Sequence, residues 1–124
     1  MPRCVNMTKV QYSLKNGTHR LSVKGHSGYA ERGRDIVCAG VSTLTQALAA
    51  TLSANLGSLL SLDIENDEST ASITIAAVPI TGCESYVGAL FSMTLHGMEL
   101  LSSAYPETVN LNVNLKTIEF TAGK

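Results

Sequence analysis

Hydrophobic and polar residues alternate at the start of the chain in the pattern of two short strands. The alternation predicts a first strand at about residues 5–14 and a second at about 18–25. Asn16-Gly17 lies between them and predicts a tight hairpin, because both residue types tolerate a positive φ. The next segment, 25–34, holds three glycines and no apolar period, so we expect a mobile loop there.

From Asp35 onward the hydrophobic residues recur at steps of three and four, which predicts an amphipathic helix over about 36–57. Asp35 is the expected N-cap, and Gly57 is the expected C-terminal stop. Alternation then returns and predicts a second hairpin, with its turn at 66–69 and its end at Pro79. The alternating positions of this hairpin are Leu60, Leu62, Ile64, Ala71, Ile73, Ile75 and Ala77.

The last third of the chain predicts a second helix and a final strand. The helix covers about 83–104, with Thr81 as candidate N-cap and Glu84 completing a capping box. The strand covers about 109–115, and its alternation breaks near Thr117. The resulting order, ββαββαβ, predicts an α+β fold in which two helices pack on a mainly antiparallel sheet.

Composition places the chain among folded globular domains. Apolar residues make up 44% and charged residues 15% of its 124 positions, which excludes intrinsic disorder and predicts a single domain over residues 1–124. No apolar stretch follows Met1, so we expect no signal peptide and a cytoplasmic location.

The stretch from Ile36 to Leu62 contains no charged residue, and it is long enough to span a membrane. Serine, threonine and other polar residues are spread through it, so we expect no membrane insertion. We interpret it as a soluble helix with a small, neutral outer face. Such a face predicts contact with another protein surface, and the hypothesis is a homodimer interface.

The charges nearly cancel, since 9 Lys+Arg face 10 Asp+Glu for a net charge of −1. That balance argues against a nucleic-acid binder that relies on bulk positive charge. Seven of the nine basic residues nevertheless lie within residues 1–34, which predicts a basic surface wherever this part of the chain folds. These seven are Arg3, Lys9, Lys15, Arg20, Lys24, Arg32 and Arg34.

Three widely spaced cysteines form neither a disulfide framework nor a metal site, and no motif indicates a cofactor. With Asp35 as N-cap, Cys38 becomes the third helical residue, where free N–H groups and the helix dipole favour a nucleophilic thiolate. The alternative is a small side chain packed in the first turn. Cys83, beside Glu84, is interpreted as structural, and Cys4 as incidental.

His26 is the candidate base for Cys38, because it lies twelve residues earlier in the glycine-rich loop. Gly25 and Gly28 flank it and allow unusual backbone conformations. The alternative is an ordinary surface histidine. The other two histidines, His19 and His96, are interpreted as packing or surface residues.

Two further residues have two interpretations each. Asp35 can cap the helix or orient His26, and a cap alone is the plainer role. Ser42 lies one turn beyond Cys38 and can hydrogen-bond near the site or back to a helix carbonyl. From the residues alone, a non-catalytic peptide-binding module and a thiol redox sensor stay open beside a cysteine hydrolase.

The run Gly25-His26-Ser27-Gly28-Tyr29-Ala30, followed by DIVCAGVS at 35–42, resembles the ribosomal-processing cysteine protease family, Prp. The resemblance implies a cytoplasmic homodimer that removes an N-terminal extension from ribosomal large-subunit protein number twenty-seven. It also implies that Cys38 is the nucleophile, that His26 is the base, and that the loop closes over the peptide.

The glycine-rich loop and the helix start are the expected sources of oxyanion-binding groups. The loop residues Gly25, Ser27 and Gly28 and the helix residue Ser42 are the candidates. Two positions depart from the family pattern, since Ser27 and Gly40 stand where alanine is frequent.

Overall fold

The computed structural model describes residues 8–25, 32–106 and 109–113. Their elements follow the predicted order ββαββαβ, which confirms the α+β prediction. The elements are β1 (Thr8–Lys15), β2 (Thr18–Lys24), α1 (Arg32–Ser53), β3 (Leu59–Asp67), β4 (Ser72–Pro79), α2 (Glu84–Ala104) and β5 (Val109–Val113), with a short 3-10 turn at Leu56–Ser58 before β3.

The five strands form one sheet in the order β3-β4-β2-β1-β5. All neighbours pair antiparallel except β1 and β5, which are parallel, so the sheet is mainly antiparallel as predicted. Asn16 (φ 52°) and Gly17 (φ 81°) both adopt the left-handed conformation at the first turn, as a type I′ hairpin requires. The central strand β2 pairs with β1 of its own hairpin and with β4 of the second hairpin, and so holds the two hairpins in one sheet.

One face of the sheet carries the core. In one row across the strands, Tyr12 pairs with Leu21 and Leu21 with Ile75, and all three are buried. Residues of both helices, among them Val41 and Phe91, belong to the same buried cluster. The strand positions between these are exposed or half-buried, so both helices pack on one face and the other face stays open.

The two helices approach closely because each presents a glycine to a leucine of the other. A Cβ atom built on Gly40 would lie 2.8 Å from Cδ1 of Leu101, and one on Gly97 would lie 2.9 Å from Cδ1 of Leu44. The departure from alanine at Gly40 thus has a packing reason, since the leucine side chain occupies that space.

The first helix does not have its predicted ends. It begins at Arg32, so residues 32–34 are helical and Asp35 is the fourth helical residue; the predicted N-cap role of Asp35 is wrong. Arg32 and Arg34 are good helix formers but Gly33 is not, and the three residues extend no apolar period, so the pattern gives no sign of a helix there. The helix ends at Ser53 rather than Gly57, and the Asn55 amide donates to the carbonyl of Thr51 at 2.8 Å just beyond it.

Two smaller boundaries also differ. The second turn covers 68–71 rather than 66–69, because Asp67 accepts hydrogen bonds from the Ser69 N–H (3.0 Å) and hydroxyl (2.7 Å). The N-cap of α2 is Cys83, so the prediction of Thr81 is wrong; Glu84 does reach back, but to the N–H of Gly82 at 2.9 Å. Predicted strand residues 5–7 and 114–115, and the break near Thr117, lie outside the described residues.

In the described part of the chain, one helical segment is long and apolar enough to cross a membrane by length and composition alone. It is Ile36–Ser53, with a mean hydropathy of 1.5 and 28% of its residues buried. Its buried residues, such as Val37, Val41 and Leu48, join the core with α2 and the sheet.

Candidate active site

Cys38 lies in the second turn of α1, as its seventh residue, and is half-buried. The prediction that it is the third helical residue is therefore wrong, because the helix starts earlier. The N–H groups without an intrahelical partner belong to the first four residues of a helix, here 32–35. The helix dipole acts mainly within the first turn, so it does not single out Cys38.

What singles out Cys38 is the cleft beside it, which has a volume of about 290 Å³. One wall is the face of α1 that presents Cys38 and Ser42, which are four residues apart and thus neighbours on the helix surface. The other lining residues come from the ends of β1 and β2, from Gly25 directly after β2, and from the turn between β3 and β4 with the strand ends beside it. Three of the predicted site residues are therefore brought together.

Gly25 connects the cleft to the predicted catalytic loop. Its φ of 80° needs a glycine, and its N–H donates to the carbonyl of Ala71 at 2.9 Å. The residue directly before His26 is thus fixed to the β3–β4 turn at the wall of the cleft. Its N–H is occupied there, which argues against Gly25 as an oxyanion donor. His26, Ser27 and Gly28 lie outside the described residues.

Ser42 uses its side chain in a way that neither prediction specified. Its Oγ accepts a hydrogen bond from Nε2 of Gln46 at 3.0 Å, and both residues line the cleft. A hydroxyl that accepts this bond keeps its own hydrogen for a second acceptor. The next residue on this face, Thr45, instead donates its hydroxyl to the carbonyl of Val41 at 2.8 Å. Ser42 and Gln46 are therefore the α1 side chains that can meet a peptide.

Asn66 and Glu68 also line the cleft, and sequence reasoning missed them. The sequence predicts them only as part of a turn, and nothing in their spacing relates them to Cys38, which lies about thirty residues away. Among the described lining residues, Glu68 and Cys38 are the two with ionisable side chains. This rim of the cleft therefore carries negative charge.

Asp35 and the other cysteines contribute less. The backbone of Asp35 is in the first turn of α1, and its side chain lies outside the description, so the prediction that it orients His26 stays a prediction. Cys83 is half-buried at the start of α2 and does not line the cleft of Cys38. Cys4 lies outside the described residues. Across 8–25, 32–106 and 109–113, no group of three His, Cys, Asp or Glu is placed to hold a metal ion.

The remaining described histidines are a packing residue and a surface residue, as predicted. His96 is exposed on α2, and its Nδ1 lies 2.9 Å from the carbonyl oxygen of Ser92. His19 is buried, shares a 2.6 Å hydrogen bond with the hydroxyl of Tyr12 through Nδ1, and stacks on Phe91 at a centroid distance of 4.8 Å. Burial lowers the pKa of His19 from 6.5 to about 4, and burial also raises the pKa of Tyr12.

Comparisons with known proteins identify the fold and the family of this chain. In fold, the chain resembles a crystal structure of an essential ribosomal processing protease Prp from S. aureus in complex with a substrate peptide. The TM-score is 0.70 at 22% identity, covering 87% of this chain and all of that one. The same protease with a covalently linked product peptide gives a TM-score of 0.69 at 24% identity, with the same coverage.

A structure of SMU.848 from Streptococcus mutans gives a TM-score of 0.69 at 28% identity, covering 87% of this chain and 94% of that one. A search of curated proteins gave no match. The model of the family described as cysteine protease Prp matches residues 7–110, which is most of the chain. This protein therefore belongs to the cysteine protease Prp family.

Proposed function

We propose that this chain is a cysteine endopeptidase that removes the N-terminal extension of ribosomal large-subunit protein number twenty-seven. Cys38 is the nucleophile and His26 the general acid and base. One observation carries the proposal: Cys38 lines a cleft together with Gly25, the residue directly before His26, in a chain of a cysteine protease family. The S. aureus protease with a substrate peptide and with a covalently linked product peptide supports a peptide substrate and covalent chemistry.

The reaction is acyl transfer through the thiol. The Cys38 thiolate attacks the scissile carbonyl carbon and forms a C–S bond, and the oxygen gains negative charge in the tetrahedral intermediate. The C–N bond then breaks while His26 gives its proton to the leaving amine. Water, deprotonated by His26, attacks the thioester carbon and forms a C–O bond. The C–S bond then breaks, His26 returns the proton to the sulfur of Cys38, and the second product leaves with a new carboxyl group.

Ser42 and Gln46 are the side chains that support this proposal beside the nucleophile. The Ser42 hydroxyl and the second amide hydrogen of Gln46 are donors on the same helix face as Cys38. Donors in that place stabilise the developing oxyanion or hold the peptide carbonyls on either side of it. The N–H of Gly25 is excluded from this role by its bond to Ala71.

Mass spectrometry of the precursor ribosomal protein after incubation tests the proposal. We expect the wild type to shorten the precursor, and Cys38→Ala and His26→Ala to leave its mass unchanged. Cys83→Ala is the matched control, because it removes the other half-buried thiol without touching the cleft, and it should cleave like the wild type. Normal cleavage by Cys38→Ala would contradict the nucleophile assignment.

The same samples separate the other functions. A peptide-binding module retains the precursor uncut with either cysteine variant, and a redox sensor loses only its response to oxidant in Cys38→Ala. An unchanged precursor with a wild type that cuts other peptides contradicts the substrate and leaves the chemistry in place.

The proposed protease is a cytoplasmic homodimer. Exposed apolar side chains at the start of α1, in the 3-10 turn and on edge strand β3 support contact with a second copy: Ile36 is 52% exposed, Leu56 59% and Leu60 72%. Sedimentation should give the dimer mass at micromolar concentration, and Leu60→Glu should shift it toward the monomer. A monomer for the wild type would contradict this part of the proposal.

A further inference from the structure

The face of the sheet opposite the helices carries a set of charges that catalysis does not use. We call the part of this face formed by β1, β2 and β5 the basic face. The described strands Thr8–Lys15, Thr18–Lys24 and Val109–Val113 contain no acidic residue. Their outward positions are Lys9, Gln11, Ser13, Lys15, Thr18, Arg20, Ser22, Lys24, Asn110 and Asn112.

The strand register brings like charges together on the basic face. Lys9 lies directly opposite Lys24 on the neighbouring strand, and both are exposed. Like charges in such a pair destabilise a sheet. Asp67 is in the same row but two strands away, about 10 Å from the Lys24 backbone at the usual strand spacing. Its carboxylate is already bonded to Ser69. The fold therefore keeps a repulsive pair that an anionic partner would relieve.

The acidic residues of the same open face are segregated from the basic ones. Asp63, Glu65 and Asp67 alternate outward on edge strand β3. The outward positions of β4 between the two regions are all uncharged: Ser72, Thr74, Ala76 and Val78. This segregation explains how a net charge of −1 coexists with a concentrated positive surface.

Polar hydrogen-bonding groups fill the space between the cations. Arg20 borders a hollow together with Gln11, Ser13, Ser22 and Asn112. The cations extend from the level of Lys24 to that of Thr18, six residues along β2, or roughly 20 Å at the usual rise per strand residue. Amide, hydroxyl and guanidinium groups in such a row are the partners that phosphate and sugar oxygens take in nucleic-acid complexes.

From this placement we infer that the basic face binds the backbone of double-stranded RNA. A surface three strands wide with a row of cations suits the wide, shallow minor groove of an A-form helix, which displays phosphates and 2′-hydroxyl groups. The grooves of B-form DNA admit a helix or a two-stranded ribbon instead. The outward positions of the basic face hold no aromatic residue for stacking on single-stranded bases, and no large apolar residue for insertion into a membrane.

Fluorescence anisotropy with a labelled 20-base-pair RNA duplex tests the inference. We expect binding by the full chain that weakens with salt, with a slope of log K against log salt near −3 to −4 for about four phosphate contacts. Lys9→Gln/Lys24→Gln should reduce the slope by about 2 and weaken binding roughly 10- to 100-fold at 0.1 M salt. The melting temperature of this double variant should equal or exceed that of the wild type, because the repulsion between Lys9 and Lys24 is removed.

The matched control is Ser85→Glu/Met93→Glu, which changes the net charge by the same amount on exposed positions of α2. It should bind the duplex almost as the wild type does. An equal loss of RNA binding in both variants would show that binding depends on the net charge rather than on the basic face, and would overturn the inference. A DNA duplex of the same sequence or a poly-glutamate peptide bound as tightly as RNA would overturn the choice of RNA, as would no binding at 50 mM salt.

Discussion

The two helices of this fold lie on the same face of one sheet and each has a cysteine in or before its first two turns, but Cys38 lines the cleft described above and Cys83 does not. Cys83 is the N-cap of α2, closer to a helix start than Cys38 is in α1. By helix position alone, Cys83 would be the more activated thiol. Cys38 instead faces a space walled by the ends of β1 and β2 and by the β3–β4 turn. The partner surface, rather than the helix dipole, distinguishes the two thiols.

The helices also differ in what their inner faces support. α2 buries six residues, including Phe91 against the Tyr12–His19 pair, and so anchors the core. Within 36–53, the part of α1 whose burial is described, the buried residues are Val37, Val41, Thr45, Leu48 and Leu52, while Ser42 and Gln46 line the cleft. This part of α1 therefore contributes both to the core and to the site.

Alkylation gives the largest contrast between the two cysteines. At neutral pH we expect iodoacetamide to modify Cys38 at least ten times faster than Cys83, because Cys38 is the proposed nucleophile beside the proposed base. Modification of Cys38 alone should abolish cleavage. Peptide mapping by mass spectrometry over time measures both rates, and equal rates would remove the distinction between the two helices.

The pH dependence of stability tests the core role of α2. The pKa of His19 is about 4 in the folded chain against 6.5 when unfolded, so the unfolded state binds more protons between these values. The contribution of neutral His19 is complete above pH 6.5 and is lost as the pH falls toward 4. We expect the free energy of unfolding to drop by roughly 1–3 kcal/mol across this window for this group.

Urea titrations at pH 7 and pH 4.5 check this, with His19→Gln as the comparison. Glutamine keeps a hydrogen-bonding partner for Tyr12 but cannot take up a proton. The difference in stability between the two pH values should therefore be smaller in the variant. The same stability difference in His19→Gln as in the wild type would show that groups other than His19 cause the pH dependence.

The contact between the helices predicts that the effect of Gly40→Ala on the free energy of unfolding changes sign when Leu101 is shortened. Gly40→Ala should cost about 1 kcal/mol, because the new methyl group meets Leu101 and overpacking outweighs the gain in helix propensity. In a Leu101→Ala background, the same change should stabilise α1 by up to about 1 kcal/mol. Thermal unfolding of the four proteins of this cycle measures the coupling, and the same sign in both backgrounds would contradict the contact.

The smallest expected effect is that of Glu68 on which peptides are cleaved fastest. Its exposed carboxylate at the rim should favour peptides with a basic residue near the cleaved bond, by about two- to fivefold. Glu68→Gln should remove this preference without reducing cleavage of neutral peptides. Paired peptides that differ by one lysine measure it at low salt, and Asp63→Gln, on the open face, is the charge-matched control.

Much of the architecture was readable in the sequence because periodicity records which side of each element is buried. The hairpin at Asn16-Gly17 and the alternation in β4 depend on local chemistry, and both appear as expected. The start of α1 was missed because residues 32–34 carry no apolar periodicity, which is the pattern that the prediction follows. The N-cap of α2 was misplaced because Glu84 bonds to Gly82 rather than completing a box with Thr81.

The sequence by itself determined the element types, their order and the mainly antiparallel sheet, since these follow from short-range patterns, and its motif made Cys38 the candidate nucleophile. The tertiary structure alone placed Asn66 and Glu68 in the cleft that Cys38 lines and gathered the cations of β1 and β2 on one open face away from the acids of β3. Both outcomes depend on which strands become neighbours and in which register, and that is set by packing between residues far apart in the chain.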